Sequence, residues 1–169
     1  MTYILETERL ALRQLTLSDA PFIIELVNSP GWLKNIGDRH IHAKEQAESY
    51  LLNGPLASYE AYGFGLYLVE LKAGQTPVGM CGFLKRTYLD HPDIGFAFLP
   101  AFMGKGYAFE AASGLMSFAS TTLNLPVVAA IVLPTNSPSK KLLEKLGMTF
   151  KGLLISPDTQ EELLLFCNE

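Results

Sequence analysis

Apolar and polar positions alternate along "ERLALRQL", from Leu10 through Leu12, and predict a first strand. The following stretch, "TLSDAPFIIELVNSPG", offers Ser18 as a helix N-cap and an apolar run before Gly31. Residues 43–52, "AKEQAESYLL", are helical in composition, and a second short helix is expected through "LASYEAY", beyond Gly54 and Pro55. The surfaces of these early helices are candidates for a lid or a substrate wall, with Trp32 and nearby Phe22 as lining residues.

Three runs come next, "GFGLYLVEL" (63–71), "VGMCGFLKR" (78–86) and "IGFAFLP" (94–100), separated by the turn-forming "KAGQTP" and "DHPD". Short connections between adjacent strands predict an antiparallel meander. The period then changes to 3.6, with Ala108, Ala111, Ala112, Leu115, Met116 and Ala119 on one helical face. "PVVAAIVL" (126–133) is apolar throughout, which predicts a strand buried on both faces and makes strand, helix and strand a crossover unit. Ser137 as N-cap, Pro138 at the first helical position, Leu142, Leu143 and Leu146 inward, and Gly147 past the end define another helix. "MTFKGLLI" and "EELLLFC" flank "SPDTQ" as a terminal hairpin. The expected class is α/β (α+β): one domain over 1–169 with a mixed, largely antiparallel central sheet flanked by helices.

Composition narrows the function. The 169 residues are 49% hydrophobic and 18% charged, with a net charge of −4, so no global positive field draws the chain to nucleic acid or to an anionic membrane. No run of about 18 apolar residues exists, and "MTYILETERLALR" carries charges where a signal peptide needs its apolar stretch, which places the protein in the cytoplasm. Cys81 and Cys167 lie in apolar runs and read as buried reduced thiols; His40, His42 and His91 match no metal spacing, and no metal is assigned.

"PAFMGKGYAFEAA" (100–112) sets a proline and two glycines in front of an alanine-rich helix. A helix start has unpaired N–H groups and partial positive charge, and it binds phosphate when no side chain blocks the approach. Gly104 and Gly106 clear that approach, and Lys105 between them adds a cation; a plain glycine-rich turn is the competing reading. A Walker A loop fails because Tyr107 follows Gly106, and a dinucleotide fingerprint fails because Phe109 stands where glycine is needed.

"IGFAFLPAFMGKGYAFEA" resembles the coenzyme A motif of the GNAT acetyltransferases, Q/R-x-x-G-x-G/A, with Gly106 and Ala108 in its last two fixed places and Met103 where Gln or Arg is usual. "ETERLALRQLTLSD" and "NSPSKKLLEKLGM" resemble the RimJ/RimL-type branch, which includes N-acetyltransferases of ribosomal-protein N-termini. The resemblance implies a strand pair that diverges around pantetheine, with backbone groups of Phe98 and Leu99 pairing to it and the amides from Met103 and Gly104 through Lys105, Gly106, Tyr107 and Ala108 holding the pyrophosphate. Asn136 would contact the cofactor or fix its loop. Ser139 would protonate the coenzyme A sulfur, and Lys140 or Lys141 would reach a phosphate or form a solvated face.

Direct acetyl transfer to an amine needs a neutral nucleophile and a protonated leaving group. Asp93 is the first candidate base, followed by Glu161 and Glu162, and a water-mediated base also suffices for an α-amino group. Asp158, Glu161 and Glu162 suit a cationic acceptor, either a small-molecule amine or a peptide N-terminus. The tail "SPDTQEELLLF" is shorter and more acidic than the "NGRYVDV" type of the ribosomal enzymes. The overall expectation is an acetyl-CoA-dependent N-acetyltransferase. Its rivals are a non-catalytic acyl-CoA-binding sensor and a protein that binds another diphosphate such as ATP or NAD. "ELLLFC" fits either a homodimer contact or a buried strand.

Overall fold

The computed structural model describes residues 2–169. Strands β1 (Tyr3–Glu6), β2 (Leu10–Gln14), β3 (Leu66–Leu71), β4 (Thr76–Leu84), β5 (Asp93–Phe98), β6 (Ala129–Val132), β7 (Thr149–Ile155) and β8 (Glu162–Cys167) form one sheet. Its order is β1-β2-β3-β4-β5-β6-β8-β7, and among the described residues only the β5–β6 pairing is parallel. The helices are α1 (Ala20–Val27), α2 (Pro30–Asn35), α3 (Lys44–Leu51), α4 (Ala57–Tyr62), α5 (Tyr107–Thr121) and α6 (Ser137–Lys145). The sheet is thus mixed and largely antiparallel, with helices on both faces.

Alternation along the strands sorts side chains to two cores. Val69, Cys81 and Phe98 join Ala111, Ala112, Leu115 and Ala119 of α5 and Leu143 of α6 on one face. Leu68, Met80 and Leu99 join Ile23, Leu26, Trp32, Ala47 and Leu51 on the other. Small residues on the inner face of α5 let that helix lie close to the sheet.

Several expectations shift. A strand, β1, precedes the first one read from the sequence and pairs with it, Leu5 opposite Leu12. The apolar run before Gly31 is two helices, because Pro30 holds Ser29 in an extended conformation (φ −70°, ψ 151°) and so ends the first. The first of these starts at Ala20 rather than beside Ser18, after a short turn in which Asp19 accepts the Thr16 N–H at 2.8 Å. Gly54 and Pro55 do not break the chain between α3 and α4; one wide helical turn, Leu52–Leu56, carries them. Asn136, not Ser137, caps α6, its Oδ1 accepting the Ser139 N–H at 3.3 Å. Only Ala129–Val132 of the continuous apolar run is strand; Val128 just before it is tied instead to the Asn168 side chain at 2.8 Å.

A buried polar cluster joins β1, β2, β3 and the turn before α1. Arg13 grips both Asp19 oxygens at 2.9 Å and lies 3.5 Å from Glu70, which accepts the Tyr3 hydroxyl at 2.6 Å. Burial pushes the Asp19 carboxyl up, but the Arg13 hydrogen bonds and the Thr16 N–H outweigh it and hold the group below its ordinary range. The terminal hairpin forms as expected: β8 lies inside the sheet between β6 and β7, which accounts for the apolar run "ELLLFC".

Candidate functional site

The parallel pair β5–β6 is joined at one register position, Asp93 opposite Ala129, with Ala129 N–H on the Pro92 carbonyl at 2.9 Å. Beyond that point β6 continues with β8 and β5 continues with β4, so a gap opens between them toward Phe98. Antiparallel pairing fixes which backbone groups face the gap. Leu99 N–H bonds Val78 and its carbonyl accepts from Phe102, both at 2.9 Å, so by alternation Phe98 and Phe96 turn their N–H and C=O groups away from β4. The backbone N–H and C=O of Phe98 thus face the gap. The backbone of Leu99 does not, being engaged by Val78 and Phe102, whereas that of Phe96 does, a parity set by the register that sequence does not print.

At the open end, the turn Pro100–Phe102 leads to Met103, then Gly104 (φ +73°) and Gly106 (φ +84°), which is the N-cap of the 15-residue helix α5. Left-handed backbone of this kind suits glycine. A Cβ at Gly104 would meet nothing within 4 Å, and the N–H groups of Tyr107 and Ala108 in the first turn have no acceptor within the helix. Lys105 is exposed. Met103 is half exposed, and its Cε would lie 3.1 Å from a Cβ on Gly31, so its side chain rests against α2.

Arg9, which the sequence reading did not single out, braces this loop. Its Nη1 donates to the Lys105 carbonyl at 3.0 Å, its Nε pairs with Glu110 at 2.7 Å, and its guanidinium covers the Tyr107 ring at 4.4 Å. Nη2 would stand 3.3 Å from a Cβ on Gly106, which puts a fixed cation beside the helix start. Burial tends to raise the Glu110 pKa, but hydrogen bonds from Thr7 and from the Arg9 backbone and side chain lower it. The local sequence around Arg9 has no period or spacing that announces a partner about a hundred residues away.

The chain after β6 brings Asn136 and α6 to the same open end of the sheet. Asn136 is spent on capping, Ser139 is half-buried in the first turn, and Lys141 is exposed. Val132 lies opposite Leu164, so exposed Glu161 and Glu162 also stand at this end. Asp93 does not. It starts β5 at the joined end, about 17 Å of extended chain from Phe98 at 3.3 Å per residue. It is 1% exposed, and Arg86 Nε reaches its oxygens at 3.0 and 3.2 Å. Burial raises the Asp93 pKa against the pull of Arg86, and the carboxylate serves the fold there rather than facing the gap.

Trp32 is buried at 6% in the second core. Both cysteines are free and buried, and burial pushes the Cys81 thiol up. Among the described residues no three His, Cys, Asp or Glu side chains cluster, and no helix is long and apolar enough to cross a membrane. A gap edged by free strand backbone, next to a bare helix start with a fixed arginine, fits an extended amide-bearing arm that ends in a diphosphate.

Comparison with known proteins agrees with this geometry. Residues 9–149 match the family model for the acetyltransferase (GNAT) domain. An uncharacterized N-acetyltransferase, p20, of Bacillus licheniformis is 31% identical over 156 residues, covering 89% of this chain and 84% of that protein. The crystal structure of an acetyltransferase from Agrobacterium tumefaciens superposes with a TM-score of 0.83 at 26% identity, covering 100% of this chain and 95% of that one. RimL, a ribosomal L7/L12 α-N-protein acetyltransferase solved in complex with coenzyme A, shares the fold at a TM-score of 0.84 and 16% identity, covering 98% and 97%. With the splayed strands, the bare helix start and a matched family model over most of its length, this chain belongs to the GNAT acetyltransferases.

Proposed function

We propose that the chain is a single-domain, cytoplasmic acetyl-CoA-dependent N-acetyltransferase that moves the acetyl group directly to a primary amine of a peptide N-terminus or a small molecule. The observation that carries this is the β5–β6 gap opening beside the uncovered N-terminus of α5. Its likeness to RimL, which acts on a ribosomal protein N-terminus, favours a peptide or protein amine. When bound, acetyl-CoA supplies an acyl carbon activated by sulfur.

The chain's own residues do the rest. Backbone groups of Phe98 and Phe96 hold the arm as an added strand. Amides from Gly104 to Ala108 bind the diphosphate, with Arg9 and Lys105 as flanking cations and Lys141 near the phosphates. Asn136 fixes the turn that presents Ser139, and the Ser139 hydroxyl gives its proton to the departing sulfur. Glu161 and Glu162, through solvent, take the proton that the amine loses. Neither buried cysteine is available to carry the acetyl group, which supports sequential kinetics. The outer strand β7 exposes Phe150, Leu153 and Ile155 by 54–58%, and this edge is our choice for a homodimer contact, which light scattering would test.

Calorimetric titration with acetyl-CoA, with ATP and NAD as controls, tests the cofactor. Thiol release over a panel of peptide and small amines tests the reaction. Micromolar binding of acetyl-CoA alone, with amine-dependent thiol release, is expected. Binding without release for any amine would make the chain an acyl-CoA sensor, and tighter binding of ATP or NAD would move the site to another diphosphate.

A further inference from the structure

An open groove of about 510 Å³ runs along the outward side of α5, lined by Gly106, Phe109 and Ser113, by Arg9 before β2 and by Lys145 at the end of α6. Ala111, Ala112 and Leu115 of the same helix are buried against the sheet, whereas Ser113 is exposed. Gly106 is also the N-cap of α5, so the groove begins at the bare helix start. From there to Gly114 it follows the helix for about 12 Å at 1.5 Å per residue. Two cations stand on its walls. The charge of Arg9 is answered within the fold: its Nε pairs with Glu110 at 2.7 Å, and Glu110 also accepts the Thr7 hydroxyl and the Arg9 N–H. Lys145 differs. Its Nζ lies over the Phe109 ring, 4.1 Å from the centroid, and no carboxylate pairs with it among the described residues. An aromatic face attracts an ammonium, so the ring keeps this exposed lysine over the groove. With Arg9 and Glu110 offsetting each other, the groove is left with the Lys145 charge and the positive end of the helix at its head, in a chain whose net charge is −4.

We propose that this groove receives the 3′-phosphoadenosine end of coenzyme A, and that Lys145 is a specificity-determining residue that pairs with the 3′-phosphate. This rests on the acetyl-CoA reading above. With the pantetheine arm in the gap of the sheet and the diphosphate at the helix start, the adenosine end leaves on the solvent side of α5, where the groove begins. A phosphomonoester carries between one and two negative charges at neutral pH and three acceptor oxygens. Lys145 offers three N–H donors and has no carboxylate to release first. Dephospho-coenzyme A has the same arm and diphosphate and lacks only this group, so Lys145 lets the chain distinguish the two.

Calorimetric titration of the intact protein with coenzyme A and, separately, with dephospho-coenzyme A reads that distinction. Coenzyme A should bind about three- to fivefold more tightly, the scale of one solvent-exposed ion pair, and added salt should narrow the difference. Lys145→Gln should abolish the preference and leave the affinity for dephospho-coenzyme A unchanged. Equal affinities in the wild-type protein would overturn the proposal and leave the cofactor reading standing, whereas binding of neither ligand would remove both. A preference that survives in Lys145→Gln also overturns it, and moves the 3′-phosphate to another cation such as Lys141. Nitrogen-15 spectra of the wild-type protein check the site without a variant: the Phe109, Ser113 and Gly114 amides should move further with coenzyme A than with dephospho-coenzyme A, and identical shifts would refute the placement.

Discussion

Replacing Gly104 and Gly106 by alanine, one at a time, separates the conformational role of these residues from access to the helix start. Both hold left-handed backbone, at φ +73° and +84°. An L-residue in that region costs about 1 kcal/mol. At Gly104 the new methyl meets nothing within 4 Å, so this is the whole loss, and for a chain of this length it lowers Tm by about 2–4 °C. At Gly106 the methyl would stand 3.3 Å from Arg9 Nη2. That group is the end of a flexible side chain and gives way, but its movement disturbs the bond to the Lys105 carbonyl and the contact with Tyr107. Gly106→Ala should therefore lose more stability than Gly104→Ala. Thermal unfolding without ligand measures this ordering, and acetyl-CoA calorimetry at 25 °C measures access, since both variants remain folded there. A methyl in the approach should weaken acetyl-CoA at least tenfold, about 1.4 kcal/mol, in one or both variants. Lower stability with unchanged affinity in both would refute the argument that the bareness of this helix start serves an anion, leaving the glycines as turn formers.

Ser139→Ala should leave acetyl-CoA affinity unchanged and lower kcat about 100-fold, the scale of a lost general acid; steady-state kinetics with an active amine would show it, and an unchanged kcat would remove Ser139 from the chemistry. The Asp19 carboxyl is held below its ordinary range in the fold, so its contribution is present above the unfolded value of about 3.9 and is lost as pH falls through the lower folded value. Urea midpoints should accordingly drop steeply below about pH 4, and Asp19→Asn, which strands Arg13, should cost about 3–5 kcal/mol at neutral pH while flattening that drop. Cys81, fully buried with its thiol pKa pushed up, should resist iodoacetamide in the native protein and react after unfolding; mass spectrometry of the labelled peptide distinguishes the two states.

Much of the architecture is written in local patterns. The 3.6-residue spacing of Ala111, Ala112, Leu115 and Ala119 needs no partner to announce a helix with one buried face, and the meander of β3, β4 and β5 follows from short connections between apolar runs. The glycines before α5 are legible because left-handed backbone has a strong residue preference. Other features depend on groups distant in the chain. Strand β1 exists because β2 offers it an edge, and its own four residues carry no decisive alternation. The backbone of Leu99 is withheld from the gap by Val78, a parity set by strand register and invisible to composition. Asp93 reads as an acidic residue at the start of a strand, yet the parallel bridge to Ala129 puts it at the joined end and Arg86 engages it. Arg9 reaches the glycine loop before α5 only because β2 and α5 pack side by side. Sequence by itself determined most of the helices and strands and the bare, glycine-flanked start of α5, since burial period and glycine preference are local. Tertiary structure alone decided which backbone edges, carboxylates and cations meet at that start, because pairing register and desolvation belong to contacts between distant segments.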